Sequence, residues 1–109
     1  MALSFVNYST YDISRGVSAI INCPTGIQGG ELLIGFITGF YTNTPSSTPS
    51  GWTLIGYDLT PTFPCFVYYK IAGSEPTSYT WSWSSITSKI KGTIFAYRGD
   101  SIVLDTFSI

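Results

Sequence analysis

The sequence predicts an all-β fold, an antiparallel β-sandwich of jelly-roll type with about eight strands. Apolar and polar residues alternate with period two in several runs, and no window shows apolar residues recurring at helical spacing. Clusters of Gly, Pro, Asn, Asp and Ser separate these runs at short intervals. With 109 residues, the chain is expected to form one sandwich domain spanning residues 1–109.

The turn residues divide the chain into eight candidate strands and two longer connections. The strands are expected at about 3–8, 17–22, 31–39, 52–58, 65–72, 77–84, 90–98 and 102–108. The connection from Tyr41 to Ser50 is rich in Thr and Ser and contains two prolines, which cannot donate to a β-ladder. The connection from Cys23 to Gly30 is rich in glycine and is predicted to be a turn.

The run 77–84 has the most regular alternation. Tyr79, Trp81 and Trp83 fall on one face, and Ser and Thr residues fall on the other. We expect the side with Tyr79, Trp81 and Trp83 to be buried in the core, because large aromatic side chains supply most of the burial energy of a small domain.

The run 31–39 is apolar on both faces. Leu32, Ile34 and Phe36 share one face, and Leu33 and Ile37 share the opposite one. A strand of this kind is covered on both sides, either by a long loop or by a second subunit.

The composition excludes several classes of partner. Charged residues make up only 10% of the chain, the net charge is −1, and no basic cluster is present, so nucleic acid is not an expected partner. No stretch approaches the roughly 20 apolar residues of a membrane-spanning helix, and residues 1–8 lack the basic start of a signal peptide. We therefore expect synthesis in a cytoplasm and no membrane partner. Cys23 and Cys65 fit no metal-ligand spacing and are expected to be small apolar residues rather than a disulfide.

The absence of histidine removes most enzyme classes. Ser-His-Asp and Cys-His arrangements are excluded, as are most zinc sites. Six carboxylates could in principle serve a glycosidase, but most lie beside turn residues, where they support local hydrogen bonds. We expect no enzyme activity, no catalytic or metal-binding residues and no cofactor.

Three phrases of the sequence resemble a known kind of domain. They are Pro49–Gly56 (PSGWTLIG), Val67–Gly73 (VYYKIAG) and Ile94–Asp100 (IFAYRGD). They resemble the PxGW, YYK-A and AYRG phrases of β-sandwich domains in bacteriophage virion proteins, namely capsid decoration (cement) proteins, head fibres and tail fibres. The resemblance implies a structural protein of the virion. We expect the tripeptide at 98–100 to end a strand and open a turn rather than act as an adhesive motif.

The resemblance and the residues lead to one main hypothesis and one alternative. The main hypothesis is a capsid decoration protein, an oligomer with a trimer favoured, that binds the major capsid protein at subunit junctions. Its candidate interface residues are Phe5, Leu33, Ile37, Val103, Phe107 and Ile109. The alternative is a head-fibre or tail-fibre module that binds a host glycan through Tyr41 and Trp52, although Trp52 can also be a core residue.

Overall fold

The computed structural model describes residues 4–40, 44–58 and 64–99. These residues form one antiparallel sheet of five strands, which confirms the all-β, antiparallel class. The strands are β1 (Ser4–Asn22), β2 (Leu32–Phe40), β3 (Thr53–Asp58), β4 (Cys65–Ile71) and β5 (Ser78–Arg98), in the order β1-β5-β2-β4-β3. No helix that could cross a membrane occurs among the described residues.

The described part of the chain has fewer and longer strands than the turn residues predict. The predicted runs 3–8 and 17–22 both lie in β1, and the runs 77–84 and 90–98 both lie in β5. The polar stretches between these runs continue as strand, and the one in β1 keeps the period of two. In β1, for example, Tyr11 and Ile13 pack against the core while Asp12 is exposed. The predicted strand 102–108 lies outside the described residues.

The two long strands bend together. Residues 4–16 of β1 pair with residues 87–98 of β5, whereas residues 18–22 pair with residues 78–82 in a shifted register. At the shift, Val17 alone stands opposite residues 83–86 of β5. A surplus of residues on one strand bends a sheet, as a β-bulge does.

The bend lays the far ends of β1 and β5 over one face of the sheet. We call residues 18–22 and 78–82 the arm, and the sheet face beneath it the inner face. A Cβ atom added to Gly92 of the inner face would collide with the side chain of Ile21 from the arm. The ring of Trp81, also from the arm, has its centroid 5.5 Å from that of Tyr68 on β4. The hydrophobic core therefore lies between the arm and the inner face.

The core is formed by alternate residues of the sheet strands together with the arm and Trp52. Its fully or almost fully buried members are Ala19, Ile21, Leu33, Ile37, Trp52, Phe66, Tyr68, Ala72, Tyr79, Trp81, Trp83, Ile90, Ile94 and Ala96. The prediction that Tyr79, Trp81 and Trp83 face the core is confirmed. Each such side chain contributes roughly 1.5–3 kcal/mol by burial.

The loop before β3 closes one end of the core. Ser47 pairs with Ser82 of the arm through backbone hydrogen bonds of 3.0 and 3.2 Å. A turn then follows in which Gly51 has a φ of +89°, and a Cβ atom there would lie 2.8 Å from Nζ of Lys70. Trp52 follows the turn and packs edge-on against Trp81, with ring centroids 5.1 Å apart. The PxGW phrase is thus a turn that enters a strand.

Candidate functional site

The sheet face opposite the arm carries an apolar surface. The residues at every second position of four strands point to this outer face, because side chains alternate along a strand. We call the following set the aromatic face: Phe5, Tyr8, Ile34, Phe36, Val67, Tyr69, Ile71, Phe95 and Tyr97.

The pairing register brings these side chains into rows across the sheet. In one row, Tyr8 pairs with Phe95, Phe95 with Ile34, and Ile34 with Tyr69. The ring centroids of Tyr8 and Phe95 are 6.2 Å apart. Phe36 meets Phe95 edge to face at 5.8 Å. Such cross-strand contacts between aromatic rings are worth about 0.2–1 kcal/mol each.

Four of the nine side chains of the aromatic face are exposed to solvent, and the other five are half-buried. Phe5 is 55% exposed and Tyr8 is 54% exposed, and Phe36 and Ile71 are exposed to a smaller extent. None of the nine residues is charged. A contiguous exposed apolar surface on a folded domain marks a contact site for another molecule.

Charged groups lie at one end of the same sheet face. Asp12 pairs with Lys91 across β1 and β5, with 3.7 Å between Oδ2 and Nζ, and both side chains are about two-thirds exposed. These residues, with Ser14, Thr38 and Lys89, line an open depression of about 540 Å³. An exposed ion pair contributes little to stability, so this end serves solubility more than rigidity.

The structure places the predicted interface residues in different environments. Phe5 belongs to the aromatic face. Leu33 and Ile37 are 0% exposed in the core, so in this fold their side chains cannot contact another molecule. The outward face of β2 is instead the one with Ile34 and Phe36. The arm covers the Leu33 face, and period-two alternation alone does not show which of two apolar faces the arm will cover. The other predicted interface residues, Val103, Phe107 and Ile109, lie outside the described residues.

The two predicted glycan-contact residues do not form a site in the described part of the chain. Trp52 is only 7% exposed, and its ring packs edge-on against Tyr79 as well as Trp81. A sugar ring stacks on an open aromatic face, which Trp52 does not offer. Tyr41 lies outside the described residues.

Of the aromatic face, only Phe5 was a predicted interface residue, and sequence reasoning missed the five members on β4 and β5: Val67, Tyr69, Ile71, Phe95 and Tyr97. The signal for two of them was present: in the run 94–97, Ile94 and Ala96 face the core while Phe95 and Tyr97 alternate with them. This run is therefore apolar on both faces, as the run 31–39 is, and the two runs are neighbours in the sheet. Their adjacency could not be read from the sequence.

A buried polar cluster lies at the end of the arm and has a structural arrangement. The Glu75 carboxylate accepts hydrogen bonds from the Tyr79 hydroxyl at 2.6 Å and the Gly73 amide at 2.8 Å, and Lys70 Nζ lies 3.0 Å away. Burial opposes ionisation of Glu75, but these donors outweigh it and hold its pKa below the usual value. A carboxylate held ionised by three donors is a poor general acid.

The two cysteines are free thiols at separate places. The Tyr79 hydroxyl lies 3.4 Å from the Cys23 sulfur, within the polar cluster. Burial, and secondarily the Asp58 carboxylate, raise the pKa of Cys65, which makes this thiol less reactive. No group of three or more Cys, Asp or Glu side chains in the described ranges is arranged to hold a metal ion.

No family model, curated protein or solved structure matches this chain. The molecule is thus defined by its own fold and surface: an antiparallel β-sheet domain with one face covered by its own arm, while the other face carries the partly exposed aromatic face and, at one end, the Asp12–Lys91 ion pair. Of the features in the described residues, the aromatic face is the one best suited to contact another molecule.

Proposed function

We propose that this chain is a non-enzymatic structural protein of a bacteriophage virion, a capsid decoration (cement) protein that stabilises the head. It would bind the major capsid protein at junctions between subunits and form an oligomer with its own copies, with a trimer favoured. The three sequence phrases support the virion setting. The main structural support for the proposal is the exposed part of the aromatic face, because a cement protein acts by burying surface against its neighbours.

The size of the aromatic face indicates how such a protein would attach. Four strands spaced about 4.8 Å apart and three rows of side chains give a footprint of roughly 20 by 20 Å, or about 400 Å². At about 25 cal/mol per Å², its burial contributes roughly 10 kcal/mol, which is comparable with the about 4–15 kcal/mol lost on association. A single copy would therefore bind weakly, and oligomeric copies that bind side by side would reinforce one another.

The finer architecture belongs to the same proposal. We propose that the arm, with Ser47 paired beside it, forms the second layer of a small jelly-roll-like sandwich, and the pairing of Ser47 with Ser82 supports this. The predicted strand 102–108 would add to one of its layers and bring the count closer to eight.

Immunogold electron microscopy tests the proposed location. Antibody raised against this chain is applied to virus particles recovered from the source of the sequence, and the positions of gold are scored. We expect regular labelling over the head. Unlabelled particles would overturn the virion assignment, and labelling confined to fibres would favour the fibre-module alternative.

A rebinding experiment tests the surface. Particles stripped of the protein are mixed with the wild-type chain, the variant Phe36→Ser or the control variant Ile86→Ser. Ile86 is 61% exposed and lies at the bend, away from the aromatic face. We expect Phe36→Ser to rebind at least tenfold more weakly and Ile86→Ser to rebind like wild type. Equal binding of all three would show that capsid contact uses another surface.

The glycan-binding alternative has weaker support in the described residues. Trp52 is buried, and the rings of Phe36 and Phe95 meet at 79°, so they do not form the flat platform on which sugar rings stack. The labelling experiment separates the two functions.

A further inference from the structure

The outer edge of β1 is a long strand edge. β1 stands at one end of the strand order, and β5 is its only strand partner among the described residues. From Asn7 to Gly16 the pairing with β5 keeps one register without a bulge. An edge of this length presents a row of backbone donors and acceptors to an incoming strand.

In the described part of the chain, the opposite edge of the sheet is protected against strand addition and the β1 edge is not. β3 is only six residues long, and a register shift between Leu54 and Gly56 interrupts its pairing. Short edge strands and bulges are devices that prevent strand addition. The segment Asn7–Gly16 contains no proline and no lysine, and it has a single acidic and a single basic residue.

One hydrogen bond indicates which backbone groups face the edge. The Tyr8 amide donates to Oδ1 of the Asn7 side chain at 2.9 Å rather than to β5. In an antiparallel ladder, residues alternate between those bonded to the neighbouring strand and those directed away from it. The amides of Thr10, Asp12 and Ser14 therefore follow Tyr8 and point to the outer edge.

We propose that β1 pairs antiparallel with β1 of a second copy of this chain, so that two five-stranded sheets become one continuous sheet. Two identical antiparallel strands related by a two-fold axis are self-complementary, and such a contact closes as a dimer. The low charge of the chain offers little repulsion between copies.

The charges on β1 restrict the register of this pairing. Directly opposed residues share a face, so the two-fold axis passes through a residue position. Centring the pair on Asp12 would place two carboxylates opposite each other, which is unfavourable. Centring it on Tyr11 or Ile13 places Asp12 opposite Thr10 or Ser14 of the second copy.

The pairing would extend the aromatic face. Phe5 and Tyr8 are the most exposed aromatic residues of that face, and both lie on β1. In the joined sheet, the aromatic faces of both copies lie on the same side. The inference concerns the isolated protein in solution, where it gives a two-fold dimer and not the trimer favoured for the capsid-bound protein, and it does not depend on the proposed capsid role.

The test measures the mass of the purified chain in solution from about 1 to 200 µM by sedimentation. The variant Thr10→Lys places a charge on the edge, and Thr80→Lys is the matched control, an exposed strand threonine in the arm. We expect wild type and Thr80→Lys to be dimers at high concentration and Thr10→Lys to be a monomer with an unchanged circular dichroism spectrum. Should Thr10→Lys fail to fold, Ser14→Lys serves as the second edge variant.

Hydrogen exchange identifies the occupant of the edge. In the proposed dimer, the amides of Thr10, Asp12 and Ser14 exchange more slowly as the protein concentration rises. Protection that does not depend on concentration would show that another segment of the same chain covers the edge. A wild-type monomer at 200 µM, or a dimer that Phe36→Ser dissociates and Thr10→Lys does not, would overturn the inference.

Discussion

Nε of Arg98, at the end of β5, donates a hydrogen bond to Oε2 of Glu31, whose side chain is only 4% exposed beside the start of β2. The two residues continue the register of the β2–β5 ladder by one step beyond Leu32 and Tyr97. Arg98 also donates to the Gly26 carbonyl at 3.2 Å, and the backbone N–H of Gln28 donates to Oε1 of Glu31 at 2.5 Å. The arginine of the RGD tripeptide therefore holds the turn before β2 to the end of β5.

Loss of this ion pair should destabilise the fold more than loss of a surface ion pair. Arg98→Ala leaves the buried Glu31 carboxylate without its cation, and we expect a loss of about 2 kcal/mol, less than for a fully buried pair because Arg98 is nearly half exposed. Lys91→Ala, which breaks the exposed pair with Asp12, should cost under about 0.5 kcal/mol. Urea unfolding at pH 7, followed by tryptophan fluorescence, measures both. Equal losses would contradict a structural role for Arg98.

The same carboxylate should make stability fall in acid. Burial of Glu31 opposes ionisation, but Arg98 and the Gln28 amide outweigh it and hold the pKa of Glu31 below its usual value. A lowered folded-state pKa stabilises the fold fully above the pKa of unfolded glutamate, about 4.3, and this contribution is lost as the pH falls through the folded-state pKa. Glu31→Gln should be less stable than wild type at pH 7 and should lose less stability between about pH 5 and 2. If the free energy of unfolding fell equally in the two proteins as the pH was lowered, Glu31 would not be the cause of the acid dependence.

Tyr79 should limit stability at alkaline pH. Burial, and then the neighbouring Cys23 and Glu75 groups, raise the pKa of Tyr79 far above its usual value of about 10. A raised folded-state pKa stabilises the fold below about pH 10, and the contribution is lost as the pH rises further. Absorbance titration at 295 nm should show Tyr79 ionising only as the chain unfolds, and Tyr79→Phe should have a shallower alkaline loss of stability. Reversible ionisation of all eight tyrosines in the folded chain near pH 10 would contradict this.

Gly92 should be intolerant of a methyl group because of Ile21. A Cβ atom at position 92 would collide with Cδ1 of Ile21 and lie 3.4 Å from Cδ1 of Ile37, and both isoleucines are fully buried. We expect Gly92→Ala to cost about 1–3 kcal/mol. Ile21→Val removes the colliding methyl group, so the double variant should be more stable than the sum of the single losses predicts.

Gly29→Ala is the matched control, because a Cβ atom there meets nothing within 4 Å. Thermal unfolding of the wild type and the four variants provides the comparison. Strict additivity of Gly92→Ala and Ile21→Val would show that the arm does not press on the sheet at this point.

The three tryptophans should be inaccessible in the folded protein. Trp52, Trp81 and Trp83 are all buried in the core. N-bromosuccinimide and acrylamide should therefore act on the indoles only after unfolding, and Trp52→Ala should cost about 3–5 kcal/mol. Rapid oxidation of one indole in the native chain, with loss of glycan binding, would instead revive the fibre-module alternative.

The sequence was sufficient for the class of fold and for the core aromatics. The period of two in the run 77–84 correctly predicted that Tyr79, Trp81 and Trp83 face inward, because one face there is apolar and the other is hydroxylated. It was insufficient where both faces are apolar. In β2, the choice between the Leu33 face and the Phe36 face depends on where the arm lies, which is a long-range feature.

Among the described residues, the seven predicted runs form only five strands, for a related reason. Polar stretches such as residues 85–89 resemble loops in a sequence, yet β5 continues through this one, where Thr87 and Ser88 pair with β1 and Ser88 also pairs with β2. Local composition carries no information about a partner strand that is distant in the chain. The pairing of Glu31 with Arg98 was hidden in the same way, since 67 positions separate the two residues.

The pairing of β1 with β5 also determines when the chain can fold during synthesis. Ser4 and Arg98 are partners although 94 positions separate them, and at about 5–20 residues per second the ribosome takes roughly 5–20 s to make the intervening chain. Until Ser78 has been made, β1 has no strand partner among the described residues, because it pairs only with β5. Folding must then be a late, concerted event, and a nascent chain that stalls before Ser78 would expose an unpaired 19-residue strand to chaperones and to other nascent copies.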